Sequence, residues 1–418
     1  MHSARGTSAS LAGLVKVQHA LSRTCARGRA GHSKTGLPTI LGMLALGLPF
    51  TLWARKMRRS TSASCARLLW LIFLLLAVVV PAILWMYRSR VPSNVAYVSE
   101  EDGTISVLDL KTLSVVRRVQ PQEVAPRGLA VTADGKYLIT SNKNTKDAAV
   151  FSTPELRLVK RLGLGSSPEF LKLNPSGDRI FATFEPSSAG GPGKPPSSGD
   201  TDNDTNGPPA QIASFHIGDW RQGPTSTAGQ ETESIEFSRD GALMLVANEA
   251  QNSIGIFNAV SGAHVRDIGL TAYGIRPRGV KTSPTGSRYA ITMEASGTLL
   301  EMDQDFKVVK AVPTGAKPYG LAFDRDGKRI FVAAAAARKL QVFSTDSMQL
   351  MAEIPIGQRC WHFTFTPDDS QILLACGRSN NVIVVDAHSY RPVRTIEGFR
   401  LPWGIVTYPK SYGSLDLP

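Results

Sequence analysis

The sequence predicts an all-β protein, a seven-bladed β-propeller of four-stranded blades, preceded by one N-terminal transmembrane helix. Three observations predict the propeller. A turn signal recurs every 41–45 residues, short apolar-alternating strands flank each turn, and the two ends of the repeat region hold complementary fragments of one blade. The helix follows from a stretch of twenty uncharged residues ahead of the repeats.

The repeats come first. Asp-Gly, Ser-Gly or Thr-Gly turns occur in TADGKYLIT (132–140), NPSGDRIFAT (174–183), SRDGALMLVA (238–247), SPTGSRYAI (283–291) and DRDGKRIFVA (324–333). TPDDSQILLA (366–375) carries Asp369 where the others carry Gly. Val/Ile-rich alternation marks the flanking strands, and polar turn residues separate them. One step of 64 residues contains an insert, 186–209, rich in Pro, Gly, Ser and Asp. Such a composition cannot bury a core and predicts a flexible surface loop. Six full units leave two pieces. Residues 94–119 supply three outer strands and residues 400–409 supply an inner strand. Together they complete a seventh blade and close the ring, which removes exposed sheet edges. The propeller is therefore expected over 94–409, with 410–418 as a tail.

The anchor is Leu68 to Tyr87, with Trp70, Trp85 and Tyr87 near its ends, where amphipathic rings favour the headgroup level. Arg55, Lys56, Arg58, Arg59 and Arg67 precede it, and only Arg88 and Arg90 follow closely. The positive-inside bias places segment 1–67 in the cytoplasm and the propeller outside, on the periplasmic face of an inner membrane. No small-residue cleavage site follows, so an uncleaved signal anchor is expected. A second apolar run, Leu37–Trp53, is broken by Pro38 and Pro49, and Met57 offers an alternative start.

The net charge of +13 belongs to the leader. Residues 1–90 hold thirteen Lys/Arg and no Asp or Glu, so the remainder has 34 of each sign. A neutral domain lacks the electrostatic footprint of a nucleic-acid binder in its totals. No CxxC, HxH, HExxH, Walker or Gly-x-Ser-x-Gly pattern appears, so neither an enzyme nor a cofactor is expected from motifs. Asp202, Asp204 and Asn206 in the insert match the start of a calcium loop, but its twelfth position is Ala213, which supplies no acid. No metal is expected.

The segments APRGLAVTADGKYL, GTISVLDLKTLSVV and NNVIVVDAHSY resemble the YVTN-repeat family of β-propellers over about residues 94–409. IGQRCWHFTFTPDD and RLPWGI are similar to the propeller associated with pyrroloquinoline-quinone-dependent alcohol catabolism. That resemblance implies a periplasmic protein beside a quinoprotein dehydrogenase. It implies a pathway more than an activity. The retained anchor and the insert depart from the family pattern.

Candidate residues follow from propeller geometry, which places ligands where the inner strands begin. Each inner strand starts at a P-x-G position, whose middle residues are Arg127, Glu169, Glu233, Arg278, Tyr319, Trp361 and Trp403. Arginines can fork onto carboxylates or phosphates, and aromatic faces can stack. The ring either binds a partner protein or small ligand, or pairs within itself. A second tier comprises Arg276, Lys317, Arg359 and His362. Asn142, Lys143, Glu185, Asn248, Glu249, Glu294 and Arg378 fall at loop tips, where solvated polar residues are ordinary. Cys360 and Cys376 lie on adjacent strands, as a cross-strand disulfide or as two buried thiols. The expected function is a non-catalytic, monomeric binding module. The alternatives are a cofactor-bearing relative of d1-haem or quinoprotein propellers, and a nucleic-acid-binding propeller.

Overall fold

The computed structural model describes residues 75–79, 94–121, 124–165, 168–184 and 208–416. The chain divides into two units, Met1–Arg90 and Val91–Pro418. Of the predicted span, only residues 75–79 are described, and they are helical. No helix among the described residues is long and apolar enough to cross a membrane. The insert with Asp202, Asp204 and Asn206, and Glu185 beside it, lie outside the described residues.

The second unit holds seven four-stranded antiparallel sheets, the predicted blades. We number the blades from the one that joins the chain ends. There β28 (Pro402–Tyr408) pairs with β1 (Val95–Glu100), Val95 opposite Tyr408 and Val98 opposite Ile405. The other inner strands are β4 (Pro126–Val131), β8 (Pro168–Leu173), β12 (Thr232–Phe237), β16 (Pro277–Thr282), β20 (Pro318–Phe323) and β24 (Cys360–Phe365). They begin blades 2 to 7.

Burial falls from axis to rim. The inner strands PRGLAV, PYGLAF and CWHFTF are buried throughout, because each lies between two neighbouring blades and the axis. The outermost strands, such as RLVKRLG (157–163) and HVRDIG (264–269), are largely exposed. The recurrent turn glycine has a backbone reason. Gly135, Gly177, Gly241, Gly286 and Gly327 all sit at φ between 67° and 77°, and Asp369 takes φ 57° in their place. Glycine enters that region without a Cβ penalty, and Asp is among the side chains that tolerate it.

The segment after β28 corrects the sequence reading. It is not a free tail. Residues 411–416 run up the channel beside β24. The Phe365 N–H donates to the Tyr412 carbonyl at 2.8 Å and the Ser414 N–H to the Phe363 carbonyl at 2.9 Å. Leu415 is buried, and its carbonyl accepts from Lys172 Nζ at 3.2 Å. The Ser414 hydroxyl accepts from the Phe363 N–H at 3.0 Å and lies 3.0 Å from His362 Nδ1. Ser414→Ala orphans these buried groups. Urea unfolding is expected to register a loss of about 1–3 kcal/mol.

Candidate functional site

Arg127, Glu169, Glu233, Arg278, Tyr319, Trp361 and Trp403 are each the second residue of an inner strand. Seven-fold repetition therefore brings all of them to one end of the channel. The glycine that follows several of them lets the strands converge. A Cβ on Gly128 would meet the Glu169 carbonyl at 2.9 Å, and one on Gly320 would meet the Trp361 carbonyl at 2.5 Å. A hydroxyl on the second strand of three blades then locks the ring. Ser99 Oγ donates to the Arg127 carbonyl at 2.7 Å, Ser141 Oγ to that of Glu169 at 2.8 Å, and Thr292 Oγ1 to that of Tyr319 at 2.7 Å. Each hydroxyl also accepts an inner-strand glycine N–H at 2.9 Å.

The ring is mostly buried and largely satisfies itself. Arg127, Glu169, Tyr319, Trp361 and Trp403 are 1–8% exposed. Arg127 pairs with Glu169, with Glu101 at 3.8 Å. Arg278 is the hub. It pairs with Glu233, its Nε lies 2.6 Å from Glu249 Oε1, and its Nη2 donates to Glu294 Oε2 at 2.8 Å. Its guanidinium also lies 4.6 Å from the Tyr319 ring centre. Arg276 adds a contact of 2.6 Å to Glu249.

The electrostatics follow from this packing. Burial pushes the Glu169 carboxyl up to about 7, against the pull of Arg127. Burial also raises Glu249 well above the usual carboxylate range, although Arg278 opposes it. For Glu294 burial acts upward too, but Arg278 and Arg276 outweigh it and hold the group low.

Two expectations change here, and one open alternative is decided. Glu249, Asn142 and Asn248 are not solvated loop tips; all three are buried, and Glu249 is a central partner of Arg278. Partners hold them inward: Asn142 Nδ2 donates to Asp147 Oδ1 at 2.9 Å, Asn248 Oδ1 accepts the Gly229 N–H at 3.1 Å, and Arg276 and Arg278 flank Glu249. His362 is not at the rim. It sits below the ring, its centre 4.3 Å from that of Trp403 and 5.3 Å from that of Tyr319. Burial, with Lys281 and Arg278 nearby, holds its imidazole well below its ordinary pKa. Cys360 and Cys376 stand directly opposite across β24 and β25 (Gln371–Cys376), and their sulfurs are joined at 1.98 Å.

A small cavity of about 20 Å³ lies under the ring, lined in part by Phe170, Ser234, His362, Trp403 and Ser414. That is room for about one water. Ser234 Oγ, His362 Nε2 and Trp403 Nε1 are buried there without hydrogen-bond partners. A haem or quinone cofactor does not fit this space, and no His, Cys or carboxylate cluster with metal-holding geometry occurs among the described residues.

Deeper in the channel the structure reveals a set that the sequence reading missed. Lys172 and Lys281 both approach Glu236 Oε2, at 3.3 and 3.4 Å, and all three side chains are 1–2% exposed. Each is the fifth residue of its inner strand, in PEFLKL, TESIEF and PRGVKT. Charges recurring at one position of otherwise buried strands were the signal available.

Fold and site together define a β-propeller with a polar, preorganised channel mouth. The chain matches no protein-family model and no curated protein sequence. Solved structures share the fold. A functionally unknown protein from Desulfotomaculum acetoxidans is 15% identical with a TM-score of 0.62, covering 75% of this chain and 98% of that one. Kuenenia stuttgartiensis hydrazine synthase is 18% identical with a TM-score of 0.57, covering 68% and 90%. A putative 6-phosphogluconolactonase from Bacteroides uniformis is 16% identical with a TM-score of 0.60, covering 76% and 100%. At such identities the likeness is one of fold.

Proposed function

We propose that this chain is a non-catalytic binding module. Segment 68–87 anchors it in an inner membrane, the propeller stands in the periplasm, and the channel mouth receives a partner protein or small ligand. Its resemblance to the propeller of quinone-dependent alcohol catabolism supports a role accessory to a quinoprotein oxidation system. One observation carries the reading. Side chains from all seven blades meet at one end, held by cross-blade hydrogen bonds, while residues 411–416 run up the channel beneath them. A surface with preset charges and little side-chain freedom loses little entropy on binding. The cofactor-bearing alternative needs a macrocycle-sized cavity, and the space under the ring holds about 20 Å³.

Site-specific photo-crosslinking in membranes tests this. Ala336 lies at the mouth end of blade 6 and Asp326 at the opposite end of the same blade. A crosslinker at Ala336 is expected to yield a discrete adduct, either a polypeptide or a small molecule seen by mass spectrometry. One at Asp326 is expected to yield none. Equal labelling from the two ends would overturn the reading.

A further inference from the structure

The mouth is electrically lopsided. On blades 3 to 5 every arginine of the ring and second tier is matched by carboxylates, as described above. The inner loops of blades 6 and 7 are different. They comprise Thr314–Lys317, Ala335–Arg338, Ile356–Arg359 and Gly377–Asn380, which contain Lys317, Arg338, Arg359 and Arg378 and no Asp or Glu. Among the described residues none of these four cations has a carboxylate within ion-pair distance. Arg359 instead lies over the Trp361 ring, 5.4 Å from its centre.

The backbone presents these cations in a fixed way. Lys317 and Arg359 sit at φ 52° and 50°, a left-handed conformation uncommon for such residues. The arrangement is pinned by neighbours, since the Ala335 N–H donates to the Lys317 carbonyl at 3.0 Å and the Gly377 N–H to that of Arg359 at 2.9 Å. The Arg378 N–H donates to the Gln358 carbonyl at 3.1 Å, which ties the two arginine-bearing loops together. Held this way, Arg359 and Arg378 repel each other. Burial and then Arg378 lower the Arg359 guanidinium from its ordinary value. Glu294 and Glu101 act on Arg359 only from beyond ion-pair distance, so like charges held close together on a rigid rim are the arrangement that an incoming anion relieves.

We propose that the loops of blades 6 and 7 form an anion site, in which Arg359 and Arg378, with Lys317 and Arg338 around them, take a phosphate or polycarboxylate group beside Trp361. This rests on the reading of the mouth as a binding surface and names the chemistry of what it binds. The paired half of the mouth, around Glu233 and Glu294, would set the orientation of the rest of the ligand by excluding further negative charge.

The test uses the full chain purified in detergent, titrated calorimetrically with inorganic phosphate and with citrate, against chloride at equal ionic strength. Arg359→Gln/Arg378→Gln is compared with wild type and with Lys328→Gln, which removes an exposed cation from the far end of blade 6. At least one anion is expected to bind wild type. The double variant should weaken it tenfold or more, and Lys328→Gln should leave it within about twofold. The tighter of the two anions names the group. Binding of neither anion, or equal weakening by Lys328→Gln, would overturn the anion site. If that happens while Ala336 still crosslinks, the mouth still binds, but not through an anion. If the anion binds and Ala336 yields no adduct, the partner reading fails and the anion site stands.

Discussion

Glu236→Gln is expected to destabilise the propeller by about 3–5 kcal/mol near neutral pH, read from urea unfolding. Glu236 Oε2 stands between Lys172 and Lys281 at 3.3 and 3.4 Å, and its Oε1 accepts the Phe237 N–H at 2.9 Å. The amide keeps the shape and removes the carboxylate that lies within ion-pair distance of both buried lysines. Uncompensated buried charge is far costlier than a lost surface pair. Lys281→Met should behave differently. It leaves a one-to-one pair of Lys172 with Glu236, and replaces a group whose charged form burial and Lys172 already disfavour. Its expected change is within about 1 kcal/mol, in either direction. The pH dependence supplies a further check. A lysine whose folded pKa lies below its unfolded value binds fewer protons when folded, so stability rises with pH up to the unfolded value near 10.4. Glu236→Gln should therefore recover part of its loss at alkaline pH. A loss that stays the same from pH 7 to pH 10 would count against the buried-charge explanation.

Arg278→Met is the second large effect, again about 3–5 kcal/mol, and with the opposite dependence on pH. Arg278 faces Glu233, Glu249 and Glu294 together. Without it, burial and mutual repulsion raise all three carboxyls in the folded state. Groups with raised folded values hold protons that the unfolded chain releases, so stability falls as pH rises above the unfolded carboxyl value near 4.3. Thermal melts should show a small difference from wild type at pH 5 and a large one at pH 8. Adding Glu249→Gln should restore part of the loss, because Glu249 is the most deeply buried of the three. A loss that is equal at both pH values would mean that packing on Tyr319, 4.6 Å from the guanidinium, outweighs charge.

Legibility differed between residue sets for physical reasons. The ring positions could be read because the P-x-G pattern marks where each inner strand begins, and symmetry does the rest. Their mutual pairing could only be posed as one of two outcomes, since Arg127 and Glu169 are 42 residues apart in sequence and meet across blades. Glu249 and Glu294 read as loop polar residues because local pattern cannot tell a strand end facing the axis from one facing water. Lys172, Glu236 and Lys281 were hidden for a related reason. A lone charge in one strand reads as a solvated face, and only the toroidal arrangement puts the three at one depth.

Seven blades, their four strands and the closure of the ring by both chain ends are determined by the sequence. They rest on local causes, namely turn residues that accept positive φ and alternation that buries one or both faces of a strand. The concentration of positive charge in residues 1–90 is likewise a property of the sequence alone. Tertiary structure decided which charges meet, which cations at the mouth stay unmatched, and that residues 411–416 run inside the channel. These depend on contacts between residues tens to hundreds of positions apart, such as Lys172 with Leu415. No local propensity encodes such a distance, because it exists only once the ring has closed.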